Sequence, residues 1–221
     1  KYKRGLSDFY TELALLLFKS NYELLAEEVE QKAFKSLIKA NAPRKDIFKA
    51  KARITTSIMN NGDYKKAITL FVKLLDEFDG PEIIETPIHS IVLHNLALCY
   101  ANILDYNSAI KNAEQFLINA DKYKYDQLFD SYNKILDRLN IFYEQTYSYE
   151  KAANHLEKSS AYYKQIGENY KYIKSLLHLS NTQFSYLGKI DDANAILEYC
   201  SDYCEQSFPE NHIIFAHLFL T

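Results

Sequence analysis

The sequence predicts an all-α protein, an α-solenoid of about five helical hairpins wound in a right-handed superhelix. Three observations predict it. Glycine and proline number only 5 and 4 among 221 residues, where average usage is ~7% and ~5%. So few breakers cannot punctuate a sandwich or barrel. The breakers that exist (Gly62, Gly80, Gly167 and Gly188, with Pro43, Pro81, Pro87 and Pro209) fall between runs of helical periodicity. Third, an alanine follows a short turn at Ala67, Ala109, Ala152 and Ala193, at separations of 42, 43 and 41. Leu25 takes the same place 42 residues before Ala67. A period of this length marks an array of helical hairpins.

The elements follow in order from these turns. KSNYELL (19–25) joins helices 7–19 and 22–40, and NGDYKKA (61–67) joins 44–60 and 64–78. ILDYNSA (103–109) joins 84–103 and 106–122, TYSYEKA (146–152) joins 124–146 and 149–166, and GKIDDAN (188–194) joins 169–187 and 190–206. A last helix, 210–221, opens a sixth unit or caps the stack. After each turn comes an aromatic or isoleucine (Tyr22, Tyr64, Tyr106, Tyr149, Ile190), expected to pack across the hairpin. The small residue three positions later lets the two helices approach. Neither helix buries its apolar face alone, so units must stack. The segment DEFDGPEIIETPIH (76–89) is the one long connection, with Gly80-Pro81 and Thr86-Pro87 breaking helix on both sides of its EII. The 221 residues are therefore expected to form a single repeat domain with units near 7–40, 44–78, 84–122, 124–166 and 169–206.

Composition excludes several functions. With 26 basic and 29 acidic residues the net charge is −3, without the basic excess of a chain that binds nucleic acid by itself. Cys99, Cys200 and Cys204 are an odd, sparse set that fits a reducing compartment, and all three read as small core residues. No 18-residue apolar run is present, so no membrane helix is expected. The opening KYKRGLSDFY lacks the apolar centre of a secretory signal. It lacks a methionine too, and the chain is expected to be cut from a longer one. Five scattered glycines form no phosphate-cradling loop, and the six histidines share no ligand spacing. No metal, cofactor or catalytic activity is expected.

The stretches KARITTSIMNNGDYKKAITLFVKLL (51–75) and LHNLALCYANILDYNSAIKNAEQFL (93–117) resemble the tetratricopeptide repeat. Leu96, Ala97 and Tyr100 fall at that family's first-helix positions and Ala109 at its small second-helix position. The period is longer than the family's, and no unit has the signature tryptophan. The resemblance implies that first helices line a concave groove. The groove-facing stripes are then Lys49, Arg53, Thr56 and Asn60; Ile91, Asn95, Leu98 and Asn102; Lys134, Arg138, Ile141 and Gln145; and Ser175, Leu179, Thr182 and Tyr186. Their polar members are cations, amides and hydroxyls without an acid, in a chain that is net acidic. Amides bond a peptide backbone through both donor and acceptor, and arginine and lysine hold a carboxylate. The peptide-contacting residues expected are Asn95, Asn102, Lys134, Arg138, Arg53, Gln145 and Tyr186. In the family, an asparagine of one repeat and a basic pair of the next clamp a peptide carboxylate, and Asn95, Lys134 and Arg138 match those positions. The clamp's other two positions hold Ala52 and Thr56, which departs from the pattern.

Repeat number, repeat length and richness in tyrosine, asparagine and isoleucine further resemble the ligand-binding region of bacterial peptide-pheromone receptors, the RRNPP group with its Rgg- and PlcR-like regulators. That resemblance implies a cytoplasmic, dimeric transcription regulator. A short signalling peptide would fill its groove, and DNA would be touched only through a helix-turn-helix domain preceding this sequence. Two other readings stand beside it. One is the repeat domain of a related aspartyl-phosphate phosphatase; the other is a scaffold or co-chaperone domain that docks protein tails.

Overall fold

The computed structural model describes residues 2–20, 22–124, 126–209 and 212–220, and no strand occurs among them. Among the described residues twelve α-helices follow one another: α1 (Tyr2–Lys19), α2 (Glu23–Lys39), α3 (Arg44–Asn60), α4 (Tyr64–Glu77), α5 (Pro81–Ile84), α6 (Pro87–Asn102), α7 (Tyr106–Tyr123), α8 (Phe129–Gln145), α9 (Tyr149–Gln165), α10 (Asn169–Ser185), α11 (Ile190–Ser207) and α12 (Ile213–Leu220). The chain divides into two compact units, Lys1–Tyr132 and Asn133–Thr221. The architecture is the all-α solenoid of helical hairpins that the sequence predicts.

Four of the hairpin turns share one backbone device. The residue before the second helix's N-cap is left-handed at Gly62 (φ 84°), Leu104 (64°), Tyr147 (56°) and Gly188 (65°). Asp63 and Asp105 then cap their helices, each side chain accepting from the backbone N–H three residues on, at 3.2 and 3.1 Å. Four residues past each N-cap stands an alanine whose N–H closes the first helical turn on the cap's carbonyl. Ala26 bonds Tyr22 at 2.9 Å, while Ala67, Ala109, Ala152 and Ala193 bond Asp63, Asp105, Ser148 and Lys189 at 3.0 Å. All five alanines are buried. This corrects the first hairpin's register. Leu25 is 47% exposed and Ala26 2%, so the small residue sits one position later than the sequence alignment puts it. The alignment matched Tyr22 to the first helical residue of later units, whereas Tyr22 is itself the N-cap.

The long connection also differs from expectation. The helix expected at 84–103 begins only at Pro87, where Thr86 Oγ1 accepts from the His89 N–H at 3.3 Å. The segment before it forms the one-turn α5, whose Ile83 is fully buried. Both prolines occupy a first helical turn, which needs no N–H from them. The helix expected at 124–146 starts at Phe129, after a 3-10 turn at Asp126–Leu128. Of the helix expected at 210–221, residues 210, 211 and 221 lie outside the described residues.

In the first unit the core gathers Phe48, Ile54 and Ile58 from α3, Phe71 and Leu74 from α4, and Val92, Leu96 and Cys99 from α6. Phe78 closes it, 5.5 Å from the Phe48 ring centroid, with the Arg44 guanidinium 5.4 Å from its own ring centroid. In the second unit, Tyr163 of α9 is fully buried and donates to Asp137 Oδ1 of α8 at 2.7 Å. Ser180 of α10 donates to the Ala193 carbonyl at 3.0 Å, a contact only small residues permit. Cys200 and Cys204 are buried free thiols, as is Cys99 in the first unit.

Candidate functional site

Helical spacing puts Ala52, Arg53, Thr56, Ser57 and Asn60 on one side of α3, because residues three and four apart are neighbours on a helix surface. In the first unit this side faces a cleft of about 250 Å³, whose other walls include Ala14 of α1, Ala26 and Glu30 of α2, and Ile88 and Ile91 of α6. Small residues make the room: Ala14, Ala26 and Ala52 are all buried. Arg53 is the cation of the cleft. Its Nη2 donates to Thr11 Oγ1 of α1 at 3.0 Å. Its Nε is buried and has no hydrogen-bond partner among the described residues. Burial pulls the Arg53 pKa below its ordinary value, with Glu30 and Asp8 opposing. A half-buried guanidinium with a donor to spare suits a carboxylate or a peptide carbonyl, which forked N–H groups hold in fixed geometry.

The expected site residues separate once placed. Arg53, Thr56, Asn60 and Ile91 of the predicted stripes line the cleft. Asn95 does not stand open to a ligand. It is 5% exposed, its Nδ2 donates to Thr56 Oγ1 at 2.9 Å, and its Oδ1 lies 3.1 Å from His94 Nδ1. Its amide ties α6 to α3 behind the cleft wall. Asn102 is exposed, and its amide folds back onto the Leu98 carbonyl at 2.8 Å.

In the second unit, Lys134, Arg138 and Gln145 are exposed along α8. A smaller cleft of about 160 Å³ opens beside them, lined by Asp137, Asn140, Ile141, Ser159, Lys174 and Ser175 among others, and the two cations stand outside that lining. Of the α10 stripe, Ser175, Leu179 and Thr182 are buried rather than open. The reason is local: Thr182 donates to the His178 carbonyl at 2.9 Å and faces Glu144 of α8 at 3.5 Å. Only Tyr186 of that stripe is exposed, and its ring stacks on Tyr149 at 4.1 Å and 4°.

The clefts are not free of acids. Glu30 accepts from Ser57 Oγ at 3.1 Å beside Arg53. Asp137 accepts from the Tyr163 hydroxyl and pairs with Lys171 at 3.2 Å. The sequence stripes overlooked both, Glu30 because it lies on a second helix and Asp137 because it sits one residue off the stripe. Thr11 was overlooked as well, since no stripe was assigned to the first unit's leading helix. Among the described residues no three histidine, cysteine or acidic side chains gather into a metal-binding group, and no helix is long and apolar enough to cross a membrane.

No family model matches the chain, and no curated protein does. Solved structures do. Nearly identical TPR-like repeats from Podosopora anserina superpose with a TM-score of 0.68 at 16% identity, covering 93% of this chain and 98% of that one. The apo form of RapI superposes at 0.67 and 13% identity, covering 93% of this chain and 54% of RapI. A signal-transduction ATPase of the STAND class from Pyrococcus horikoshii, which has a tetratricopeptide repeat sensor, gives 0.68 at 18% identity over 93% of this chain and 31% of its own. Hairpin turns with a repeated alanine, stacked helices and these superpositions agree that the chain adopts the TPR-like helical-repeat fold.

Proposed function

We propose that this chain is the peptide-binding sensor region of a cytoplasmic regulator of transcription, and that a short signalling peptide occupies the cleft between α1, α3 and α6. One observation carries the reading: Arg53 is half-buried in a cleft and keeps a buried Nε without a partner. A buried unsatisfied donor is costly in an empty site and favourable once a ligand acceptor meets it. Thr56 and Asn60 supply further polar contacts on the same wall, and Ile88 and Ile91 an apolar one. In this reading Arg53 replaces Asn95 as the anchor, because the Asn95 amide is engaged with Thr56. The sensor role of the repeats in the Pyrococcus horikoshii ATPase supports the same use of the fold. Transcriptional output would need a DNA-binding domain outside this sequence and a second copy of the chain.

Titration calorimetry against short peptides with free and amidated C-termini tests it. Arg53→Ala is expected to weaken the best peptide at least about tenfold, equal to 1.4 kcal/mol, with the helical circular dichroism unchanged. Arg53→Lys keeps the charge but loses the fork, and is expected to fall between. Amidation should cost a similar factor if the C-terminal carboxylate is what Arg53 holds. Should both Arg53→Ala and amidation leave affinity untouched, the cleft is not the site. Lys134 and Arg138, exposed a turn apart on α8, then become the pair to remove.

A further inference from the structure

A larger opening in the first unit lies elsewhere. A groove of about 670 Å³ runs between α2 and α4 with α3 as its floor. Phe34 of α2, Ile54 and Ile58 of α3, and Leu70 and Leu74 of α4 give it an apolar base. Its α4 rim is a single helical stripe, Lys66, Leu70, Lys73 and Glu77, at the spacing that keeps side chains on one face. Lys51 of α3 also reaches this rim, where both Glu77 oxygens hold its Nζ, at 2.7 and 2.6 Å. The acid of the rim is therefore already committed. Lys66 and Lys73 are left exposed on either side of Leu70. Seven residues at 1.5 Å rise put them about 10 Å apart, two helical turns.

We infer that this groove docks an acidic amphipathic helix of a partner protein, lying along α4. An apolar face between two like cations is the complement of a helix with leucine-type residues on one face and carboxylates seven apart at its border. Such a helix laid in a groove anchors at i, i+3, i+4 and i+7, and its two acids would meet Lys66 and Lys73 while its apolar side chains cover Phe34 and Leu70. The volume suits several such side chains, being within the ~300–1,000 Å³ of ordinary binding pockets. A neutral or basic helix would leave the two lysines unpaired beside desolvated surface, so charge gives the groove its selectivity. This surface shares no lining residue with the Arg53 cleft, and the inference stands apart from the peptide reading.

The test uses the full chain and a fluorescein-labelled, 21-residue designed helix with leucines at two heptad positions and glutamates flanking them, alongside the same helix with lysines for glutamates. Fluorescence anisotropy is expected to show binding of the acidic helix and at least about tenfold weaker binding of the basic one. Lys66→Glu with Lys73→Glu should invert that preference without altering the thermal midpoint, since both side chains are exposed. Arg53→Ala should leave it unchanged. Equal affinity for the two helices, or binding of the acidic helix that survives the double charge reversal, overturns the inference. So does loss of binding on Arg53→Ala, which would put the helix in the other cleft. A concentration-dependent dimer in sedimentation that the charge reversal disperses would instead make the groove a contact between copies. Displacement of the acidic helix by laurate at stoichiometric concentration would make it a site for anionic amphiphiles.

Discussion

Leu104 and Tyr147 hold a backbone conformation that glycine holds at the equivalent turns, with φ of 64° and 56° against 84° at Gly62 and 65° at Gly188. Left-handed φ costs an L-residue roughly 1–2 kcal/mol. Leu104 and Tyr147 are also 71% and 80% exposed, so packing returns little of that cost. Leu104→Gly is therefore expected to stabilise the fold by about 0.5 kcal/mol, strain relief exceeding the entropy that glycine adds to the unfolded chain. Gly62→Ala probes the same position in reverse. A Cβ there meets nothing within 4 Å, so the expected loss of about 1 kcal/mol is purely conformational. Urea denaturation of the two variants should move the midpoint in opposite directions. Equal shifts would show that the turn is not what the two positions share.

At the scale of the hairpin, the alanine four residues past each N-cap sets how closely the two helices pack. Ala109 has no exposed surface. Ala109→Leu must push the helices apart, and is expected to cost ~1–3 kcal/mol, read as a lower thermal midpoint. This element also shows what was legible in the sequence. Four of the five alanines declared themselves by their period, and the fifth slipped by one because Leu25 offered an apolar residue at the expected place. Helices with capped ends and glycine turns were readable to within a few residues. α5 was not, because four residues give no periodicity, and its proline reads as a breaker although it opens a helix. The site was legible in part for a similar reason. A helical period says which residues share a face; it does not say what covers that face. The stripes that the repeat resemblance implies on α3 and α6 include Arg53, Thr56, Asn60 and Ile91, and these four line the 250 Å³ cleft. Asn95 has equivalent spacing, yet its amide is used on Thr56. Thr182 has it too and is buried. Glu30 belongs to the cleft through tertiary packing that no single-helix pattern contains.

Across the whole molecule, each unit keeps its own core, and thiols are set into both. Burial pushes the Cys99 and Cys200 thiols up to about 12 from an ordinary 9.0, and raises the Tyr163 and Tyr172 hydroxyls as well. Between the unfolded and folded values the unfolded chain releases protons that the folded chain retains. The unfolded state then binds fewer protons, and stability falls as pH rises. The contribution is fully present below pH 9 and is lost progressively as the pH climbs toward 12. The denaturation midpoint should accordingly be flat with respect to these groups up to about pH 9 and decline above it. Cys99→Ala with Cys200→Ala should flatten that decline. An alkaline limb unchanged by the double variant would assign it to the tyrosines.

Arg53 has acid company: Glu30 shares its cleft, and Asp8 as well as Glu30 acts on its charge. Seen from solvent, that neighbourhood presents little net field, so an approaching anion is not drawn in from afar. Long-range attraction sets how strongly encounter rates respond to ionic strength, as the screening length falls from about 30 Å at 0.01 M salt to about 3 Å at 1 M. Stopped-flow association of a peptide with the Arg53 cleft should thus be nearly indifferent to added salt. Glu30→Gln together with Asp8→Asn would leave an unbalanced cation and make the same rate slow as salt is added. Under the proposed reading such a cleft would test a ligand by contact rather than summon it, and its speed of response would then follow ligand concentration alone.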